Sequence, residues 1–174
     1  LTADGYSNKL DVPLTFNAGI SIAQNSKHEI NHPIYGSQEI NVVTYYDEIR
    51  NFQYNIKSKE ITFSMPFEWS LDNINQTSVV HEELVIPKTF GDLLVSGFSM
   101  HVNGIKLSDD IVTIDDFFSE QRVVHFIISQ KDLLNIYKNQ SHQNGMNFLI
   151  KPNSDDIQLS SVTSNGQFRI FVTW

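Results

Sequence analysis

Three of the chain's six histidines stand inside segments that read as β-strands, and their side chains are the ones best placed to do chemistry. In Val79-Val80-His81-Glu82-Glu83 the pleat puts His81 and Glu83 on one face, because alternate residues of a strand point the same way. His101 opposes the apolar Leu94, Phe98 and Met100. His125 opposes Val124, Phe126 and Ile128, on a side it shares with Val123 and Ile127. If these three strands are neighbours, three imidazoles and one carboxylate meet on one sheet face. That donor set, His81, Glu83, His101 and His125, suits Zn²⁺ or Cu²⁺. No short-range ligand spacing reinforces it, so the competing reading has no cofactor and each histidine on a half-exposed face. His28 and His32 form a second candidate, but a spacing of four joins ligands only on a helix, and Pro33 pushes His32 out of helical geometry.

Other chemistry is missing. The chain has no cysteine, which excludes disulfide scaffolds, thiolate metal sites, blue copper and cysteine nucleophiles. No phosphate-binding glycine loop, nucleophile elbow or His-Glu-x-x-His motif is present. The pairs Asp109-Asp110, Asp115-Asp116 and Asp155-Asp156 lack the spacing and glycine bend of a calcium loop and read as turn carboxylates. The expectation is a non-enzymatic protein. A net charge of −8 disfavours nucleic acid as a partner, since phosphate neutralisation needs clustered Lys and Arg.

The elements that must position these residues are strands. Period-2 patterns predict strands at Leu10–Phe16, Glu39–Tyr46, Phe52–Lys57, Glu60–Phe67, Val79–Ile86, Leu93–Val102, Ile105–Leu107, Arg122–Ile128, Asn147–Lys151 and Gln167–Thr173. Ile20 and Ile22 extend the first of them, and residues 25–37 and 70–77 read as polar loops. Lys57-Ser58-Lys59-Glu60 predicts a hairpin turn, and Asn103-Gly104 predicts another because both positions tolerate positive φ. Ser129 with Asp132 three residues on predicts an N-cap and a short helix near 130–138, whose apolar face is Leu133, Leu134 and Tyr137. The fold class is all-β: an antiparallel β-sandwich of about eight to ten strands with one short helix. It reads as a single domain over 1–174, in which residues 1–24 form an extended or partner-pairing segment.

Tyr45, Tyr46, Phe52, Tyr54, Phe67 and Trp69 offer a stacking platform for a sugar, against the commoner use of aromatics as sheet core. The sequons Asn75-Gln76-Thr77 and Asn139-Gln140-Ser141 are expected N-glycosylation sites. The chain opens at Leu1 with no initiator Met, which reads as a processed form after removal of a secretory signal or membrane anchor.

Met65-Pro66-Phe67-Glu68-Trp69, Val80-His81-Glu82-Glu83-Leu84-Val85-Ile86-Pro87-Lys88, Val102-Asn103-Gly104-Ile105-Lys106-Leu107 and Val124-His125-Phe126 resemble surface-exposed proteins of ammonia-oxidising archaea (Thaumarchaeota). The resemblance covers roughly the second two-thirds of the chain. It implies a β-sandwich anchored or secreted outside the archaeal membrane, with glycosylated asparagines. It carries no activity and no functional residues. The resulting expectation is an extracytoplasmic domain acting through contacts with other surface or membrane proteins, as a subunit of a membrane complex, envelope layer or filament. In the filament version the Leu10–Phe16 segment pairs with the edge of a neighbouring copy, giving a homo-oligomer by strand addition. The alternatives are a copper- or zinc-binding accessory protein and a carbohydrate-binding module.

Overall fold

The computed structural model describes residues 23–140, 144–153, 162–164 and 167–169. Within them the strands are β1 (Gln24–His32), β2 (Gly36–Thr44), β3 (Arg50–Asn55), β4 (Glu60–Met65), β5 (Val79–Pro87), β6 (Phe98–Val102), β7 (Ile105–Lys106), β8 (Val112–Asp115), β9 (Gln121–Ser129), β10 (Met146–Pro152), β11 (Val162–Ser164) and β12 (Gln167–Arg169). Two helices join them, α1 (Leu71–Gln76) and α2 (Gln130–Asn139). One five-stranded sheet runs β1-β2-β5-β9-β8 and a second runs β3-β4-β10-β6-β7, every pair antiparallel. Strands β11 and β12 pair with each other. The expected all-β, sandwich-like fold is what forms. The predicted strand at Leu10–Phe16, its extension at Ile20 and Ile22, the Asp155-Asp156 turn and residues 170–174 lie outside the described residues.

Strict alternation builds the interface between the sheets. Ile40 and Val42 of β2, Val80, Leu84 and Ile86 of β5, and Val124, Phe126 and Ile128 of β9 turn inward and are buried. Facing them are Ile61, Phe63 and Met65 of β4, Met146, Phe148 and Ile150 of β10, and Phe98, Met100 and Val102 of β6. All belong to one continuous apolar cluster. The rings of Phe63 and Phe148 stack with centroids 4.6 Å apart. Offset aromatic packing of this kind adds to the burial of area.

The local signals work as expected at three places. Asn103 (φ 50°) and Gly104 (φ 82°) make the tight turn between β6 and β7. Strands β3 and β4 form a hairpin, with Lys59 taking the left-handed conformation in its turn. Ser129 caps α2 through a reciprocal box, accepting from the Asp132 N–H while the Asp132 carboxylate accepts from the Ser129 N–H.

Elsewhere the structure differs from the sequence reading. Residues 25–37 are not a loop: they hold most of the nine-residue strand β1, the turn after it and the start of β2, with which β1 forms a hairpin. The inward positions of β1 are Ser26, His28, Ile30 and His32, so the face that should look apolar is mostly polar. Residues 71–76 form α1, capped by Ser70 accepting from the Asn73 N–H. The strand expected over Leu93–Val102 contracts to Phe98–Val102, because a 3-10 turn at Gly91–Leu93 precedes it. Strand β8 was not foreseen.

Ionisable side chains are buried at two places in this frame. Glu82 of β5 is fully buried, its Oε1 accepting from the Thr44 hydroxyl at 3.0 Å, and burial pushes its carboxyl up to about 8. At one end of the sandwich His32 Nε2 lies 3.1 Å from Asp92 Oδ2, with both side chains buried. Asp92 also accepts from the Tyr54 hydroxyl at 3.0 Å and pairs with Lys59 Nζ at 3.0 Å. This carboxylate ties β1 of one sheet to the β3–β4 hairpin of the other.

Candidate metal centre

The site begins with the β5–β9 ladder, which holds nine residue pairs in unbroken register from Val79↔Ser129 to Pro87↔Gln121. That register sets Glu83 directly opposite His125 and His81 opposite Ile127. All four point away from the core, because their neighbours Val80, Glu82, Leu84, Val124, Phe126 and Ile128 fill the inner face. His81 and His125 are then diagonal neighbours, within reach of each other on a pleated surface.

Three donor atoms converge. Glu83 Oε1 lies 3.4 Å from His81 Nε2 and 3.2 Å from His125 Nδ1, and the two imidazole nitrogens are 3.4 Å apart. Among the described residues these three make the one group of His, Asp or Glu with ligand atoms close enough to share an ion. The side chains are partly shielded, at 26% exposure for each histidine and 15% for Glu83.

A fourth residue completes the surroundings. Tyr45, just beyond β2, donates its hydroxyl to Glu83 Oε1 at 3.1 Å and lays its ring on His81, centroids 4.6 Å apart and 11° from parallel. The Tyr45 backbone N–H also bonds the His81 carbonyl at 3.1 Å. Burial, then the hydrogen bond to Glu83 and its charge, raise the Tyr45 hydroxyl above its ordinary range. It therefore serves as a neutral donor that orients the carboxylate. Burial holds the His81 imidazole below its usual range, with Glu83 opposing and His125 assisting. Lowering favours the neutral ring, the form that ligates a metal.

The triangle has the size of a coordination face. With bonds of about 2.0–2.1 Å, a tetrahedral ion separates its donors by about 3.3–3.4 Å, whereas donors at right angles stand about 2.8–3.0 Å apart. Edges of 3.2, 3.4 and 3.4 Å fit the tetrahedral case.

His101 does not join this group. It lies on β6 in the other sheet, between β10 and β7, and points out of the opposite side of the sandwich. The chain crosses between sheets after β5, a change of layer that side-chain alternation does not encode. Burial and the nearby Lys151 and Lys106 lower its pKa, and those two cations would repel a metal ion. His28 and His32 do not combine either. His28 stacks on Phe52 at 3.8 Å and contacts Ser26 Oγ at 2.8 Å, while His32 belongs to Asp92. Sequence places Tyr45 only in the aromatic platform. Its place beside Glu83 depends on the β2–β5 register, and no spacing along the chain reports that.

The six platform aromatics divide, with Tyr46, Phe67 and Trp69 in one contiguous cluster (Phe67 lies 5.3 Å from Tyr46 and 4.5 Å from Trp69, ring centre to ring centre) and the other three apart. Tyr45 covers His81, Tyr46 packs on Phe67, Phe52 on His28, and Tyr54 on Phe90. Phe67 and Trp69 line an open cleft of about 1160 Å³ that also touches Arg50, Tyr137 and Lys138. Asn75 and Asn139 are both exposed, near the ends of α1 and α2. No helix among the described residues is long and apolar enough to cross a membrane. Compared with known proteins, the chain matches no family model, no curated protein and no solved structure.

Proposed function

We propose that this chain is a zinc-binding β-sandwich module, with His81 Nε2, His125 Nδ1 and Glu83 Oε1 as ligands. The triangle of donor atoms, with edges of 3.2–3.4 Å, carries this reading. Two imidazoles and a carboxylate suit a borderline ion such as Zn²⁺, and the Tyr45 hydroxyl on Glu83 supplies the outer-shell support that such ligands use. Copper(II), which prefers tetragonal geometry, needs shorter edges and is the poorer fit. The test loads the full chain with zinc, desalts it and measures the metal retained. About one equivalent per chain, lost in His125→Ala, is the expected result. Retention below about a tenth of an equivalent overturns the reading.

A second reading places the module outside the cell, where it contacts other surface proteins. It is favoured by the exposure of both sequon asparagines. Intact-mass spectrometry of protein from its native source tests it. Glycan mass on Asn75 or Asn139 is expected, and a bare polypeptide mass counts against it.

A further inference from the structure

A tetrahedral zinc takes four donors, and this chain's triangle provides three. Among the described residues no other His, Asp or Glu joins the group. Tyr45 is committed to Glu83 Oε1 as a donor. All three ligating side chains stand on the outward face of their sheet and keep some exposure, so the remaining position opens to solvent. Sites with three protein ligands and an open fourth position are the ones that receive a molecule from outside.

Charge and surroundings narrow what that molecule is. Two neutral imidazoles and one carboxylate leave a bound zinc with one net positive charge, which a monoanion neutralises. Apolar groups flank the site: Ile127, directly across from His81, is 46% exposed, and Val79, two residues before His81 on the same face, is 44% exposed. Water or chloride gains nothing from such a rim, whereas an anion with an organic substituent buries it. On the other flank Thr113 is exposed and pairs directly with His125, so its hydroxyl shares the face with the site.

We propose that the open position of the His81–Glu83–His125 zinc takes an organic monocarboxylate from outside the chain, with Thr113 as hydrogen-bond donor to the ligand's second oxygen and Ile127 and Val79 in contact with its substituent. The proposal rests on the zinc reading above. One ligand chemistry has two sources here, a free small acid or a carboxylate carried by a second copy of the chain.

The experiment uses the full chain loaded with Co²⁺, whose visible absorption reports coordination. Acetate and benzoate are the probes. The expected result is an intense tetrahedral spectrum that shifts saturably with either acid, with benzoate several-fold tighter than acetate because of the apolar rim. Thr113→Val should weaken both by about three- to tenfold while leaving cobalt affinity unchanged. Sedimentation of the zinc-loaded chain separates the sources. A monomer assigns the ligand to a free acid. A zinc-dependent dimer that excess acetate dissociates assigns it to a second copy, and supports the proposal equally. A cobalt-loaded monomer whose spectrum ignores both acids up to about 100 mM overturns the proposal and leaves the metal site standing. If cobalt does not bind at all, the zinc reading itself fails.

Discussion

Glu83 and His125 face each other across the β5–β9 ladder, with Oε1 of one 3.2 Å from Nδ1 of the other. The ladder's register sets this distance, so the site depends on the fold and not on local sequence. It also sorts two adjacent carboxylates. Glu83 points outward beside two imidazoles, while Glu82 points into the core. A slip of one residue would exchange them, burying the ligand and exposing the core acid.

Removing a ligand should therefore separate true ligands from the remote histidine. Glu83→Gln and His125→Ala are each expected to lower zinc affinity by at least about a hundredfold, since even outer-shell changes cost ten- to a hundredfold. His101→Ala should leave affinity within about twofold, because its side chain leaves the opposite face of the sandwich. Isothermal titration with zinc checks all three. A large loss in His101→Ala would show that the site has been misplaced.

Tyr45→Phe keeps the ring that stacks on His81 and removes only the hydroxyl that holds Glu83. Its expected effect is a ten- to a hundredfold drop in zinc affinity, by the usual cost of losing an orienting partner, with thermal stability nearly unchanged. Competition against a chromophoric chelator measures the first quantity and a melting curve the second. Unchanged affinity would mean that the carboxylate orients itself.

The buried acid gives a pH dependence with a definite sign. Glu82 titrates near 8 in the fold and near 4.5 when unfolded. A raised folded value means that its stabilising contribution is complete below about 4.5 and is lost as pH climbs to about 8. Metal-free protein should lose on the order of 3–5 kcal/mol across that window from this group, and Glu82→Gln should remove most of the slope. Urea unfolding at intervals from pH 5 to pH 9 provides the comparison. Parallel curves for the two proteins would contradict it.

Asp92 gathers His32, Tyr54 and Lys59 at one end of the sandwich. Asp92→Ala leaves the buried His32 ring and the Tyr54 hydroxyl without their acceptor. The expected cost is about 3–5 kcal/mol, or a fall in Tm of about 10 °C. Calorimetry reads it directly. A shift under about 2 °C would mean that the cluster contributes little to holding the two sheets together.

The fold was legible wherever side-chain alternation met a turn signal, as at Asn103-Gly104, Lys57–Glu60 and Ser129 with Asp132. It was hidden where polar residues took inward positions, as in β1, whose Ser26, His28 and His32 disguise a nine-residue strand. The pair His81 and Glu83 followed from the pleat alone. Whether His101 or His125 joined them depended on strand order, which alternation does not encode. Tyr45 and Thr113 were out of reach for the same reason, being placed by ladders between strands distant in sequence.

The four outer strands of the two sheets are unequal. Strand β7 has two residues, β8 has four, and β3 breaks register between Arg50 and Gln53. Only β1, among the described residues, offers nine residues in unbroken register with a single neighbour. An antiparallel pairing of two copies along β1 would use the same edge twice and relate them by a two-fold axis. Such a contact consumes the long edge of each copy, and the other outer strands of the two five-stranded sheets, β3, β7 and β8, are short or broken in register. Among the edges of the described strands, self-association through β1 therefore closes at a pair.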